Sequence, residues 1–389
     1  MHKLTYRHTQ YASYLGYVTQ AIVNNLAPLL FVIFQEQFDI PLQKITLLIT
    51  TNFCFQLVVD FIAARIVDKI GYRPCIIAAH LFASAGLVGM AVLPHIFTDP
   101  YYGLLTAVLL YAVGGGLIEV LISPIVEACP TDNKASVMSL LHSFYCWGTV
   151  GVIVLSTGFL AVFGRENWGI LACLWALLPL GNAFFFTRVP IAQLGDDGSS
   201  MSLGQLVRSR LFWLFIVLMI ASGASEQAMS QWASTFAEKG LGVSKALGDL
   251  AGPCLFSVLM GCSRMFYAKF SEKIDLTNFI IGSCVLCIGA YLLAALSPRP
   301  VLGLVGCGLC GLSVGVLWPG VFATASARIP TGGTAMFAYL ALAGDLGCSS
   351  GPTLVGMVAG AFQDNLSVGL LFAIIFPTVL IIGSLASRK

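Results

Sequence analysis

LLTAVLLYAVGGGLIEVLISPIV, residues 104–126, carries one charged side chain, Glu119, in 23 consecutive positions. At about 1.5 Å of rise per residue a run of this length makes a helix that crosses the ~30 Å hydrocarbon layer of a bilayer. A carboxylate in the middle of that layer costs about 3 kcal/mol or more, so a chain that keeps one there either pairs it or uses it. Comparable apolar runs recur along the whole sequence, Val368 to Leu385 among them, and two others hold an acid of the same kind, Glu226 and Asp345.

Composition points the same way. Of 389 residues 58% are hydrophobic and 10% charged, against roughly 25% charged in a soluble domain, and the mean hydropathy is +0.88. The sequence therefore describes an integral membrane protein with the lipid bilayer as its principal neighbour. A net charge of +2 offers no basic surface for nucleic acid, and no such partner is expected. No cleavable signal peptide is expected, because the first long apolar stretch begins after Gln10 and lacks a small-residue cleavage site.

Twelve cysteines raise the question of metal or disulfides. Cys284-Val285-Leu286-Cys287 and Cys307-Gly308-Leu309-Cys310 have a suggestive spacing, yet both lie in apolar helical runs with no His or acid beside them, and buried packing is the simpler reading. Gly114-Gly115-Gly116 and the glycines between Gly303 and Gly315 likewise sit inside apolar spans, where they serve close helix packing rather than phosphate binding. No nucleotide loop, catalytic triad or zinc ligand set is present. The chain is thus not read as an enzyme or an ATP-driven pump, and no cofactor is expected beyond an ion gradient, in the first instance H⁺.

Hydropathy places twelve spans at 11–35, 44–66, 73–95, 102–128, 135–162, 167–187, 211–236, 246–268, 276–296, 300–326, 335–361 and 366–386. The long polar break between Pro190 and Arg210 separates them into two groups of six: an N-terminal six-helix bundle (1–189), a linker (190–210) and a C-terminal bundle (211–389). Lys3, Arg7, Arg65, Lys69, Arg73, Lys134, Arg188, Arg208, Arg210, Arg264, Lys269, Lys273, Arg328, Arg388 and Lys389 fall on one side of these spans, against Lys44, Arg165, Lys239, Lys245 and Arg299 on the other. By the positive-inside rule both termini and the linker are cytoplasmic, as in a multi-pass protein of the plasma membrane. The halves echo each other: Gly116-Leu117 before Pro124 matches Gly311-Leu312 before Pro319, and Asn24 falls opposite Glu226. Such repeats, rocking about a midplane site, are a transporter architecture, and a monomer is sufficient for it.

Polar residues within the spans form stripes at helical spacing. The first span aligns Tyr17, Gln20 and Asn24, with Asn25 beside them; the second aligns Asn52, Gln56 and Asp60. The fifth offers Ser139, His142, Ser143 and Trp147; the seventh offers Ser222, Glu226 and Ser230 beside Gln227 and Gln231. Amides and hydroxyls also serve as glue between membrane helices, but their number here favours a wet cavity that takes a small-molecule substrate. Amides and carboxylates bond hydroxyl groups while Trp147, Trp232 and Trp318 can stack on apolar sugar faces, so a neutral polyhydroxy ligand fits best. The expected substrate contacts are Gln20, Asn24, Asn25, Asn52, Gln56, His142, Trp147, Glu226, Gln227, Gln231 and Trp318. Glu119, with His142 as a candidate partner, and Glu226 are the expected proton-coupling groups; Asp345, between glycines, is read as structural. Asp60 and Glu127 lie nearer the cytoplasmic ends, where gate salt bridges are expected.

The loop Ala64-Arg65-Ile66-Val67-Asp68-Lys69-Ile70-Gly71-Tyr72-Arg73 resembles the signature loop of the major facilitator superfamily, with Ala64 in place of its first glycine. A degenerate second copy runs through Arg264, Ala268, Ser271, Glu272 and Lys273. The resemblance implies the major facilitator fold, all-α with twelve transmembrane helices in two pseudo-symmetric bundles. It also implies that Asp68 caps a helix of the second half near Gly333-Thr334, with Lys69, Arg73 and Arg264 completing a cytoplasmic gate. Within the superfamily the chain is most similar to the fucose-permease-type sugar:proton symporters, through Gly116-Leu117-Ile118-Glu119 before Pro124, Asn24-Asn25 before Pro28, and Gly223-Ala224-Ser225-Glu226. Members of that type often carry an acid in the first helix, where this chain has the amide Asn25, so Glu119 is left with more of the coupling. The expected function is proton-coupled, alternating-access uptake of a sugar or related polyol. The alternatives are a proton-driven exporter of drugs or amphipathic metabolites on the same scaffold and a non-transporting sensor or lipid-handling protein.

Overall fold

The computed structural model of the chain describes residues 4–130, 134–192, 203–270, 274–329 and 332–387, and among them there are helices and no strands. Eleven of these helical segments are long and apolar enough to cross a membrane, and the helix Gly333–Ala361, of 29 residues, has the length of a twelfth. The chain divides into two compact units, Met1–Asp196 and Asp197–Lys389.

The first unit is built from α1 (Tyr6–Phe38), α2 (Leu42–Ile70), α3 (Tyr72–Ile96), α4 (Pro100–Glu127), α5 (Lys134–Phe163) and α6 (Trp168–Arg188). Sequence chemistry sets the ends. Asp99 accepts from the Tyr101 N–H and Pro100 opens α4, so the cap fills an orphan donor and the proline fixes φ where no hydrogen bond is lost. Gly71, at φ +98°, makes the turn from α2 into α3, a backbone geometry that side chains disfavour. α1 is enclosed by its neighbours: Ala12, Tyr14 and Tyr17 pack with Ile76, Ala79, Ile118, Ile122, Leu141 and Phe186. The other helices turn large apolar side chains outward, such as Leu155, Val162 and Ile170, as a bilayer-facing surface requires.

The second unit begins with the short α7 (Leu203–Arg208) inside the expected linker, whose residues 193–202 lie outside the described residues. Its first span is interrupted: α8 (Arg210–Ser230) ends in a turn at Gln231–Trp232, resumes as α9 (Ala233–Thr235) and closes in a wide turn at Phe236–Gly240. α10 (Lys245–Asp249) leads through a second wide turn, Leu250–Cys254, into α11 (Leu255–Phe270). α12 (Leu276–Leu296) follows, and then α13 (Pro300–Val314) and α14 (Leu317–Arg328), one span broken at Gly315. α15 (Gly333–Ala361), α16 (Leu366–Phe372) and α17 (Ile375–Ala386) complete it. α8 and α15 are packed backbone to backbone; a Cβ on Gly347 would stand 2.0 Å from the Ile220 carbonyl oxygen, which is why a glycine occupies that position.

Candidate functional site

In the first unit the stripes predicted on α1 and α2 meet. Gln56 Nε2 donates to Asn52 Oδ1 at 2.8 Å and to Asn24 Oδ1 at 3.0 Å. Gln20 Nε2 donates to Gln56 Oε1 at 3.2 Å and to Glu119 Oε2 of α4 at 3.0 Å. Asn52 Nδ2 reaches Asn24 Oδ1 at 3.4 Å. An amide ladder thus runs from Asn52 to the carboxylate, with its four amide residues buried and Glu119 itself half-buried. Asn25 faces away from the ladder toward α5, donating to Ala21 O and to Thr149 Oγ1.

Asp60 belongs to this cluster. It lies one turn beyond Gln56 on α2 and faces Gly116 of α4, one turn before Glu119. It is 4% exposed, and among the described residues its Oδ1 has no hydrogen-bond partner. A Cβ on Gly116 would stand 2.8 Å from that oxygen and 2.9 Å from Gln56 O, so the glycine lets α4 close onto the acid. A gate salt bridge was expected at Asp60, and no ion pair among the described residues joins a cation to it. The sequence signal was present, since Asp60 is the third member of the Asn52, Gln56 stripe.

His142, expected as a candidate partner of Glu119, lies on α5. It is exposed on α5 with its ring 5.3 Å from that of Tyr17, whose hydroxyl meets Ser123 Oγ at 3.0 Å. Trp147 is exposed on the same helix. Of the loop residues, the Asp68 and Glu127 side chains lie outside the described residues and Lys69 is exposed. Arg73 donates to Phe186 O at 2.7 Å and Val189 O at 2.9 Å. These carbonyls end α6, where orphan acceptors and the negative end of the helix dipole attract a cation, so Arg73 closes its own unit. Sequence reading also missed His80, whose Nδ1 donates to Ile76 O while Nε2 accepts from Asn182; that arrangement specifies a neutral ring that holds α3 to α6.

The second unit answers its acid differently. Gln231 Nε2 donates to Gln227 Oε1 at 3.1 Å, Gln227 Nε2 to Glu226 Oε1 at 3.4 Å, and Arg264 pairs with Glu226 Oε2 at 3.4 Å. Arg264 Nε also donates to Gly315 O at 3.2 Å, satisfying a carbonyl left open where α13 breaks. Arg264, expected with the gate, is a mid-helix residue of α11 bound to Glu226. Trp318 lies against Gly344 of α15, and Asp345 is half-buried beside it. A buried ion pair went unread in the sequence: Lys245 Nζ to Asp249 at 2.9 Å, with Ser234 donating to the same carboxylate. All twelve cysteines are free, and no group of three or more His, Cys, Asp or Glu among the described residues could hold a metal ion.

Membrane-length helices that carry polar ladders ending on acids define a multi-pass membrane protein. The family model of the Major Facilitator Superfamily matches residues 13–352, and the chain belongs to that superfamily. It is 24% identical over 310 residues to membrane protein MosC of Rhizobium meliloti, covering 78% of this chain and 71% of that protein. Its fold matches the E. coli fucose:proton symporter with a TM-score of 0.69 at 15% identity, over 99% of this chain and 100% of the other. It also matches a bacterial homolog of the human lysosomal transporter Spinster, with a TM-score of 0.78 at 13% identity over 97% and 96%.

Proposed function

We propose that the protein is a secondary active transporter that couples uptake of a sugar or related polyol to proton entry by alternating access. It sits in the plasma membrane with both termini in the cytoplasm. The observation that carries the reading is the placement of Asp60 against Gly116, one turn before Glu119 on α4, with no ion pair among the described residues joining a cation to either acid. Two carboxylates in a medium that penalises charge need a positive partner, and a proton taken from one side and released to the other is one that does work. Glu226 already has the Arg264 guanidinium at 3.4 Å, so its part is substrate contact rather than proton carriage. The amide ladder supplies donors and acceptors for hydroxyl groups. The fold likeness to a fucose:proton symporter agrees with a sugar, while the higher TM-score to a Spinster homolog, 0.78 against 0.69, leaves the choice of substrate to the site.

The test is uptake of labelled pentoses and hexoses into proteoliposomes under an imposed inward proton gradient. Accumulation collapsed by a protonophore supports the reading. Gradient-independent flux, or resistance to toxic amphiphiles on overexpression without any saturable sugar uptake, overturns it.

A further inference from the structure

The α1–α2–α4 corner has more acceptors than donors. Gln20 and Gln56 each spend both hydrogens of the side-chain amide inside the ladder. Among the described residues Gln20 Oε1 and Asp60 Oδ1 are nonetheless buried without a hydrogen-bond partner, on side chains 2% and 4% exposed. Both side chains lie beside Glu119: Gln20 donates to it at 3.0 Å through its amide nitrogen, and Asp60 Oδ1 packs against Gly116, one turn before Glu119 on α4. Buried acceptors without donors are costly, and two on side chains beside the same carboxylate call for a positively charged occupant that contacts several oxygens at once.

A proton sits on one oxygen and is shared with at most one more. A dehydrated metal cation bridges several, and carboxylate and amide carbonyl oxygens are hard ligands that prefer hard, non-transition cations. Two carboxylates, with no third acid, His or Cys in reach among the described residues, match a single charge better than a double one. We propose that this corner binds a monovalent alkali cation of the Na⁺ or Li⁺ class, ligated by Asp60, Glu119 and the Gln20 carbonyl oxygen. The half-buried Glu119 is the entry point and Asp60 and Gln20 are the inner ligands. The inference rests on the reading of this corner as the coupling site and adds what it accepts besides a proton: cation and proton compete there, so binding of the metal expels protons.

The test is thermal unfolding of the purified full-length protein in detergent, in NaCl or LiCl against KCl or choline chloride at matched ionic strength, with proton release followed in weakly buffered solution. Na⁺ and Li⁺ should raise Tm by about 2–4 °C at saturation and release protons, while K⁺ and choline do neither. Asp60→Asn should abolish both effects, and Gln20→Met serves in its place if that variant does not accumulate. A salt-independent Tm, alongside proton-driven uptake that Glu119→Gln abolishes, overturns the alkali site and leaves the proton reading standing. A Na⁺ effect that survives both substitutions places the cation elsewhere and equally overturns it. Loss of both the Na⁺ effect and any gradient-driven uptake in the wild-type protein removes the two readings together.

Discussion

At the scale of single residues, the three intramembrane acids separate by what stands beside them. Glu119 takes one amide hydrogen bond and has a second acid for a neighbour, whereas Glu226 has a guanidinium. Arg264→Ala should therefore leave Glu226 charged and uncompensated. Loss of one partner of a fully buried pair costs ~3–5 kcal/mol, and with Arg264 a quarter exposed about 2 kcal/mol is expected after discounting for solvent. Denaturation of the single and of the Arg264→Ala/Glu226→Gln double variant checks this: the double variant should recover part of the loss, and additive losses would contradict the pairing. Glu226 and Glu119 were legible as unusual from hydropathy alone. Their partners were not, because Arg264 and Asp60 are separated from them by 38 and 59 positions, and only the packing of α2 on α4 and of α11 toward α8 brings them together.

Among elements, glycines and caps set the geometry. At Gly347 an added methyl would collide with the Ile220 carbonyl, while at Gly151 on α5 it would meet nothing within 4 Å. Gly347→Ala should destabilise by ~1–3 kcal/mol through overpacking, and Gly151→Ala should be neutral or stabilising by about 0.5–1 kcal/mol through helix propensity. Thermal melts of the pair test the α8–α15 contact, since equal shifts would deny it. The cap of α4 brings a pH dependence. The Tyr101 backbone N–H, and then Lys44, hold Asp99 below the usual aspartate range. Its folded-state pKa is depressed, so its stabilisation is present above the ordinary aspartate value and disappears as pH falls through the folded one. Asp99→Asn should flatten that acid limb of the stability curve. Span limits were readable because lipid imposes length and apolarity. The breaks at Gln231 and Gly315 were not, because they depend on which backbone carbonyls find partners such as Arg264.

For the whole molecule, the superfamily was legible from one loop and the count of spans, yet the loop's acid is not the residue on which function turns in this account. The lever is differential: a gradient drives accumulation only if substrate affinity depends on whether the α1–α2–α4 corner is occupied. Glu119→Gln removes one of the corner's two titratable groups, keeping the hydrogen bond to Gln20 available while Asp60 remains. The most direct test is paired transport in proteoliposomes, comparing gradient-driven accumulation with substrate exchange at equilibrium. The account predicts that Glu119→Gln loses accumulation by about tenfold or more, equivalent to ~1.4 kcal/mol of lost coupling, while exchange continues at a similar rate. Accumulation that persists in the variant at the wild-type level would contradict it.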